Sequence, residues 1–257
     1  MASSKVLKLT EKVFSRTTDL ALFSIFYGME LAFGGIPSMK GVTKAGENAL
    51  DITSEVNYQS IKRAISELRR QGLVRTFKNS LMEAEITVSG KKRIKSLMPQ
   101  YQKKRPWDSN IYLVTYDVPV TQNWERDMLR MFLKKIGCGL LQESIWVTPY
   151  NPTWIVREFI ENRGLEGTVL VSILGKEGSI GGMSLEELIE QVYNLTDLNG
   201  RYKEFLQKCR VGIPKAQLAF HYLSILNDDP QLPFELLPDD WVGDEAYQVF
   251  ERMTGGK

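Results

Sequence analysis

The chain has 257 residues, 43% hydrophobic and 25% charged, with a formal net charge of +2. Its length suggests two domains or three smaller ones. No apolar run approaches the roughly 20 residues of a membrane-spanning helix, and the opening MASSKVLKLTEKVFSRTTDL lacks the apolar core of a secretory signal. Two distant cysteines and a single histidine support neither a disulfide framework nor a zinc site, so a cytoplasmic protein without a cofactor is expected.

The small net charge conceals a division at Pro106. Residues 1–106 hold 19 Lys and Arg against 9 Asp and Glu, a net +10, and the remainder holds 14 against 22, a net −8. A basic segment of this size favours a polyanion through counterion release, whereas an acidic one resists it.

In chain order, the first apolar stretch is TTDLALFSIFYGMELAF, whose polar start suits a helix cap and predicts a buried helix near 19–32. A Gly-rich passage follows, with a short helix predicted around 43–51. In NYQSIKRAISELRRQGL, Tyr58, Ile61, Ala64, Ile65 and Leu68 recur at three- and four-residue steps, with Asn57 as N-cap and Gly72 as stop. The opposite face carries Gln59, Ser60, Lys62, Arg63, Ser66, Arg69 and Arg70. The segments LVRTF, with Arg75, and AEITVS alternate as strands do, and KNSLME between them reads as a hairpin with Lys78 near its tip.

Helix, short helix, basic amphipathic helix and basic-tipped hairpin make a winged helix-turn-helix over residues 1–100. A helix of this width enters the major groove of double-stranded DNA, donors near its start reach base edges, and flanking arginines neutralise phosphates. Gln59 suits adenine and Arg63 guanine, although pattern alone does not set the register. Lys91, Lys92 and Arg93, in TVSGKKRIK, would add backbone contacts. A solvated outer face is the alternative for any such helix.

The run KKRPW at 103–107 marks a boundary. Beyond it, IYLVTYDVP reads as a strand ending at Asp117. NWERDMLRMFLKKIGC reads as a helix with Trp124, Met128, Met131 and Phe132 toward a core. LLQES and IWVTPY are strands, PTWIVREFIENRG is a helix and TVLVSILG a last strand. The order βαββαβ predicts a ferredoxin-like dimerisation domain over 107–176, with one sheet face free for a partner. Together with helices predicted over 182–257, the fold class is α+β.

Within this segment, Trp107, Asp108, Asp117, Pro119, Arg126, Arg130, Gly137, Gly139, Trp146, Thr148 and Pro149 resemble the central-domain pattern of PaaX-type transcriptional repressors, which control phenylacetic acid degradation. Tyr112, where an arginine is usual, and Ile136, where leucine is usual, depart from it. Tyr116, Asp117, Val118, Gln142, Ser144, Ile145 and Trp146 are also similar to the small CRISPR-associated adaptation nuclease, in which two such aspartates share a metal across a dimer. For Asp117 several readings stand side by side: a strand-end cap or dimer-interface hydrogen bond, a metal-dependent nuclease site, or an effector contact. One carboxylate supplies a single ligand where a divalent cation needs several.

The tail opens with SLEELIEQVYNLTDLNGRYKEFLQKC, at helical spacing, and a helix after Pro214 carries His221, read as a core residue. DPQLPFELLPDDWVGDEAYQVF then matches the closing signature of the PaaX-type family from Asp229 to Phe250. Its prolines predict an extended linker, with Asp240 and Trp241 opening a final helix. The resemblance implies a homodimer on a palindromic operator, released by an aryl-acyl-CoA effector. Cationic and aromatic residues available for that effector include Arg126, Arg130 and Trp146. No G-x-G-x-x-G, P-loop, G-x-S-x-G or histidine pair is present, so no enzyme is expected.

Overall fold

The computed structural model describes residues 17–26, 58–76, 84–119, 123–165, 167–174, 183–213 and 215–254. The described residues mix helices with two antiparallel sheets, an α+β protein. It divides into two compact units. One holds Met1–Tyr101, Arg201–Asp228 and Val242–Lys257, and the other Gln102–Gly200 and Asp229–Trp241. The helical residues after 182 are thus divided between them. Among the described residues no helix is long and apolar enough to cross a membrane.

The first unit begins with helix α1 (Thr17–Phe26), followed by α2 (Tyr58–Arg70), the strands β1 (Val74–Thr76) and β2 (Ala84–Ile86), and α3 (Val88–Leu97). The short helix predicted near 43–51 and the hairpin tip with Lys78 lie outside the described residues. Asp19, expected within a capping start, lies in the first turn of α1, where its carboxylate meets Arg93 of α3 at 3.4 Å. The partner is brought in by the fold rather than by the helix end. Two later helices belong to the same unit, α8 (Lys215–Asp228) and α9 (Gly243–Thr254), as does the second half of α7 (Leu195–Arg210). Phe220 of α8 meets Phe23 of α1 edge to face at 5.6 Å, Tyr222 stacks on Phe250 of α9 at 4.3 Å, and Tyr101 stacks on Tyr247 at 4.0 Å. Aromatic pairs in these geometries add to the apolar area they bury.

The second unit contains β3 (Tyr112–Asp117), α4 (Asn123–Lys135), β4 (Gly139–Gln142), β5 (Ile145–Thr148), α5 (Thr153–Arg163), β6 (Thr168–Ile173) and α6 (Leu185–Tyr193). The strands lie in the order β4-β5-β3-β6, each antiparallel to its neighbour. Side chains alternate along β3, so Tyr112, Val114 and Tyr116 are buried. Val114 and Tyr116 share a core with Trp146, Leu129, Leu133 and Val156. Gly139 lets α6 approach closely, because a Cβ there would stand 2.1 Å from Val192 Cγ1. The Tyr193 hydroxyl donates toward the carbonyls of Val147 (2.8 Å) and Gly137 (3.0 Å).

Helix α4 corrects one expectation. Trp124 and Met131 are 70% and 67% exposed, and the buried residues are Leu129 and Leu133, with half-buried Phe132 stacked on Phe159 at 3.9 Å. Residues 124 and 131 are seven apart and share a side of the helix, and the stripe that faces the sheet runs through 129 and 133. Large apolar size does not choose the face. Helical phase does.

The proline-rich tail, expected as an extended linker, is held in this unit as a strap interrupted by a short 3-10 helix at Phe234–Leu236. Asp229 Oδ1 accepts from the Gln231 amide (2.7 Å), the Tyr150 hydroxyl donates to the Gln231 carbonyl (2.8 Å), and the buried Arg105 donates through Nη1 to the Leu232 carbonyl (3.1 Å). The Arg105 guanidinium also lies 4.8 Å from the ring centre of Phe234. Asp240 and Trp241 do not open the last helix, which starts at Gly243. Instead Asn199 Nδ2 donates to the carbonyl and carboxylate of Asp240 (3.0 and 3.2 Å), and the Trp241 amide closes a turn on Pro238 (3.0 Å).

Candidate nucleic-acid interface

Helix α2 forms because Ala64, Ile65 and Leu68 fall on one side and are buried, which leaves Arg63, Ser66, Arg69 and Arg70 exposed on the other. Gln59, Ser60 and Lys62 lie in its first turns, and their side chains fall outside the described set. Gly72 ends the helix at φ 69°, and the Leu73 amide returns to the Leu68 carbonyl at 2.9 Å. A left-handed residue here favours glycine and turns the chain straight into β1. The same turn anchors α3: Thr87 Oγ1 donates to the Gly72 carbonyl (2.7 Å) and accepts from the Gly90 amide (3.0 Å), capping the helix. Gly90 sits against the Leu73 carbonyl so closely that a Cβ would stand 2.1 Å from it.

The basic residues of this unit differ in what already holds them. Arg70 grips Glu67 through two bonds, Nη2 to Oε1 (2.8 Å) and Nε to Oε2 (2.9 Å), and Gln71 adds a third to the same carboxylate (2.6 Å). The hydrogen bond from Arg70 holds the Glu67 carboxyl below the usual range and raises Arg70 in turn. Arg75 stands directly across the ladder from Glu85, an opposite-charge pairing typical of strands. Arg93 is committed to Asp19. Arg63 and Arg69 on α2, and Lys91, Lys92 and Lys95 on α3, are exposed to solvent. The acidic partners Glu67, Glu85 and Asp19 were not singled out from sequence. The i, i+3 spacing of Glu67 and Arg70 was a local signal for one of them, and the other two are nonlocal.

The second unit places the remaining candidates apart in kind. Trp146 is buried in the core between sheet and helices, Arg126 is half-buried on α4, and Arg130 is exposed one turn later. Asp117 is exposed at the end of β3, paired in register with Thr168, and Gly167 lies close against its carbonyl. Among the described residues no group of three or more His, Cys, Asp or Glu converges to hold a cation.

Two family models match the chain: one described as the PaaX protein central Cas2-like domain over residues 104–179, and one described as the PaaX-like protein C-terminal domain over residues 193–255. Neither of these stretches reaches α2. The transcriptional repressor PaaX of Escherichia coli (strain K12) is 24% identical over a 170-residue alignment that covers 58% of this chain and 52% of that protein. The chain thus spans about half the length of that relative. Among solved structures, an uncharacterized protein, Rv0674 from Mycobacterium tuberculosis, superposes with a TM-score of 0.52 at 16% identity, covering 78% of this chain and 82% of that one. At that identity the likeness is one of fold.

Proposed function

We propose a regulatory function from the premise that this chain belongs to the PaaX-type family. It is a sequence-specific, DNA-binding transcriptional repressor that works as a homodimer on a palindromic operator and is released by an aryl-acyl-CoA or related metabolite. Residues 1–100 serve as the winged helix-turn-helix, 107–176 as a ferredoxin-like dimerisation domain, and 182–257 as the helical region that includes the effector response. Helices α8 and α9 lie in the same compact unit as α2, a short route from that response to the DNA-reading helix.

The observation that carries this reading is the outer face of α2, where Arg63 and Arg69 stand exposed on a helix fixed from behind by Ala64, Ile65 and Leu68. A helix so anchored presents guanidinium groups to a groove without costing core packing. Gln59, Ser60, Lys62, Arg63 and Ser66 are assigned to the groove, and Arg69, Arg70, Arg75 and Lys78 to phosphates. Since Arg70 and Arg75 already face carboxylates, Arg69 is the stronger phosphate contact of the three. No catalytic role is proposed for Asp117.

The test is operator binding by full-length protein. Fragments selected from the source genome supply the operator, and Arg63→Ala should weaken specific binding by about 1–3 kcal/mol at the base it reads, with an unchanged melting curve. Equal weakening on every sequence would make Arg63 a phosphate contact. Indifference to all duplexes at low salt would end the proposal.

A further inference from the structure

Strand β6 closes one side of the four-stranded sheet, and among the described residues no strand lies beyond it. Its six residues, TVLVSI, contain no charge, proline or glycine. Sheet edges are normally blunted by lysine, proline or a bulge, because a row of unpaired backbone groups recruits another strand. Here Leu170 is 57% exposed and Ile173 63% exposed. They point to opposite faces of the sheet, so apolar surface flanks the edge above and below.

Hydrogen-bond phase identifies which backbone groups face outward. The Leu174 amide donates to the Ile111 carbonyl at 2.7 Å, and on the other side of β3 the Tyr116 amide donates to the Ser144 carbonyl at 3.3 Å. Odd-numbered β3 residues therefore turn their backbone toward β6, and the even-numbered β6 residues paired with them, Thr168, Leu170 and Ser172, turn toward β3. Val169, Val171 and Ile173 are left with their N–H and C=O directed away from the sheet.

We infer that β6 is the contact strand between two copies of this chain, pairing antiparallel with its own counterpart about a two-fold axis at Val171. Two requirements restrict the register to a centre on a strand residue, and engaging every outward group of the strand then selects Val171. Outward-facing residues must meet outward-facing residues to bond, and residues directly opposite must lie on the same face of the joined sheet. Centring on Val171 satisfies both: Val171 meets Val171, Val169 meets Ile173 and Leu170 meets Ser172, which engages every outward group of the strand. A centre at Leu170 leaves Ile173 without a bonded strand partner. A charged strand would set like charges near one another across such an axis, and TVLVSI brings none. The inference rests on the dimeric reading proposed above and specifies its interface.

The experiment uses full-length protein in sedimentation velocity. Ile173→Pro deletes an outward N–H without touching the bonds to β3, and Leu170→Lys combined with Ser172→Lys sets like charges opposite one another. Each should raise the dimer dissociation constant at least tenfold with an unchanged circular dichroism spectrum. In a Cys209→Ser background, mixing Leu170→Cys protein with Ser172→Cys protein should give an oxidised dimer that neither gives alone, since directly opposed non-bonded positions lie within disulfide reach. A native chain that sediments as a monomer at micromolar concentration, or a dimer indifferent to both variants, overturns the inference. The monomeric variants should keep half-site DNA affinity and lose the added affinity for a full palindrome. A strand-paired dimer that ignores DNA would instead sink the regulatory reading while the interface stood.

Discussion

Helices α2 and α4 are each 13 residues long, each amphipathic, and each carry arginines outward, yet they serve different ends. In α2 Ala64, Ile65 and Leu68, which recur at helical steps, are buried, and Arg63, Arg69 and Arg70 cluster on the exposed side. In α4 Trp124 and Met131 stay in solvent while Phe132 is half-buried, Arg126 and Arg130 alternate with Glu125 and Asp127, and two leucines hold the helix down. The lesson is that phase along the helix, set by which stripe can reach a neighbouring layer, outranks residue size. A charged outer face speaks for a polyanion only where like charges gather.

Core truncation should break the comparison most sharply. Leu133→Ala removes a fully buried side chain and should cost about 2–5 kcal/mol, whereas Met131→Ala on the same helix should stay within about 0.5 kcal/mol. Chemical denaturation of both checks it. Equal losses would return Met131 to the core. Next in size, Gly90→Ala should destabilise the first unit by about 1–3 kcal/mol through overpacking against the Leu73 carbonyl and Ile86, and thermal melting reads it. Thr87→Ala removes the α3 cap and the bond to the Gly72 carbonyl, so a loss of about 1 kcal/mol is expected in thermal melting.

An effect confined to acidic pH concerns His221 of α8, edge-on to Phe205 at 6.2 Å. Burial above all, with Lys208 and Arg201 assisting and Glu204 opposing, lowers its pKa from 6.5 to about 4. The folded state thus holds the neutral ring. The unfolded chain binds the proton more readily, so this contribution is complete above pH 6.5 and is lost as pH falls toward 4. His221→Gln should flatten stability against pH between 7 and 5, measured by denaturant midpoints, and an unaltered slope would assign the ring to solvent.

Much of this was legible in the residues. The βαββαβ order, the buried stripe of α2 and the stop at Gly72 follow from periodicity and glycine chemistry, which act over a few positions. The local pairing of Glu67 with Arg70 was also within reach of spacing. Other features depend on residues far apart in the chain: Asp19 on Arg93, Arg105 on the Leu232 carbonyl, Asn199 on Asp240. The helix expected at Asp240 starts at Gly243, and that aspartate's carbonyl and Oδ1 accept from a side chain 41 positions away.

Sequence by itself determined the element types, the gathering of positive charge before Pro106 and the family, because propensity, periodicity and charge are properties of short stretches. Only the tertiary structure decided which arginines remain available, which face of α4 meets the sheet, and which backbone groups of β6 point outward. Those outcomes depend on partners that the chain brings together through folding, and on the alternation that an antiparallel ladder imposes on each strand it accepts.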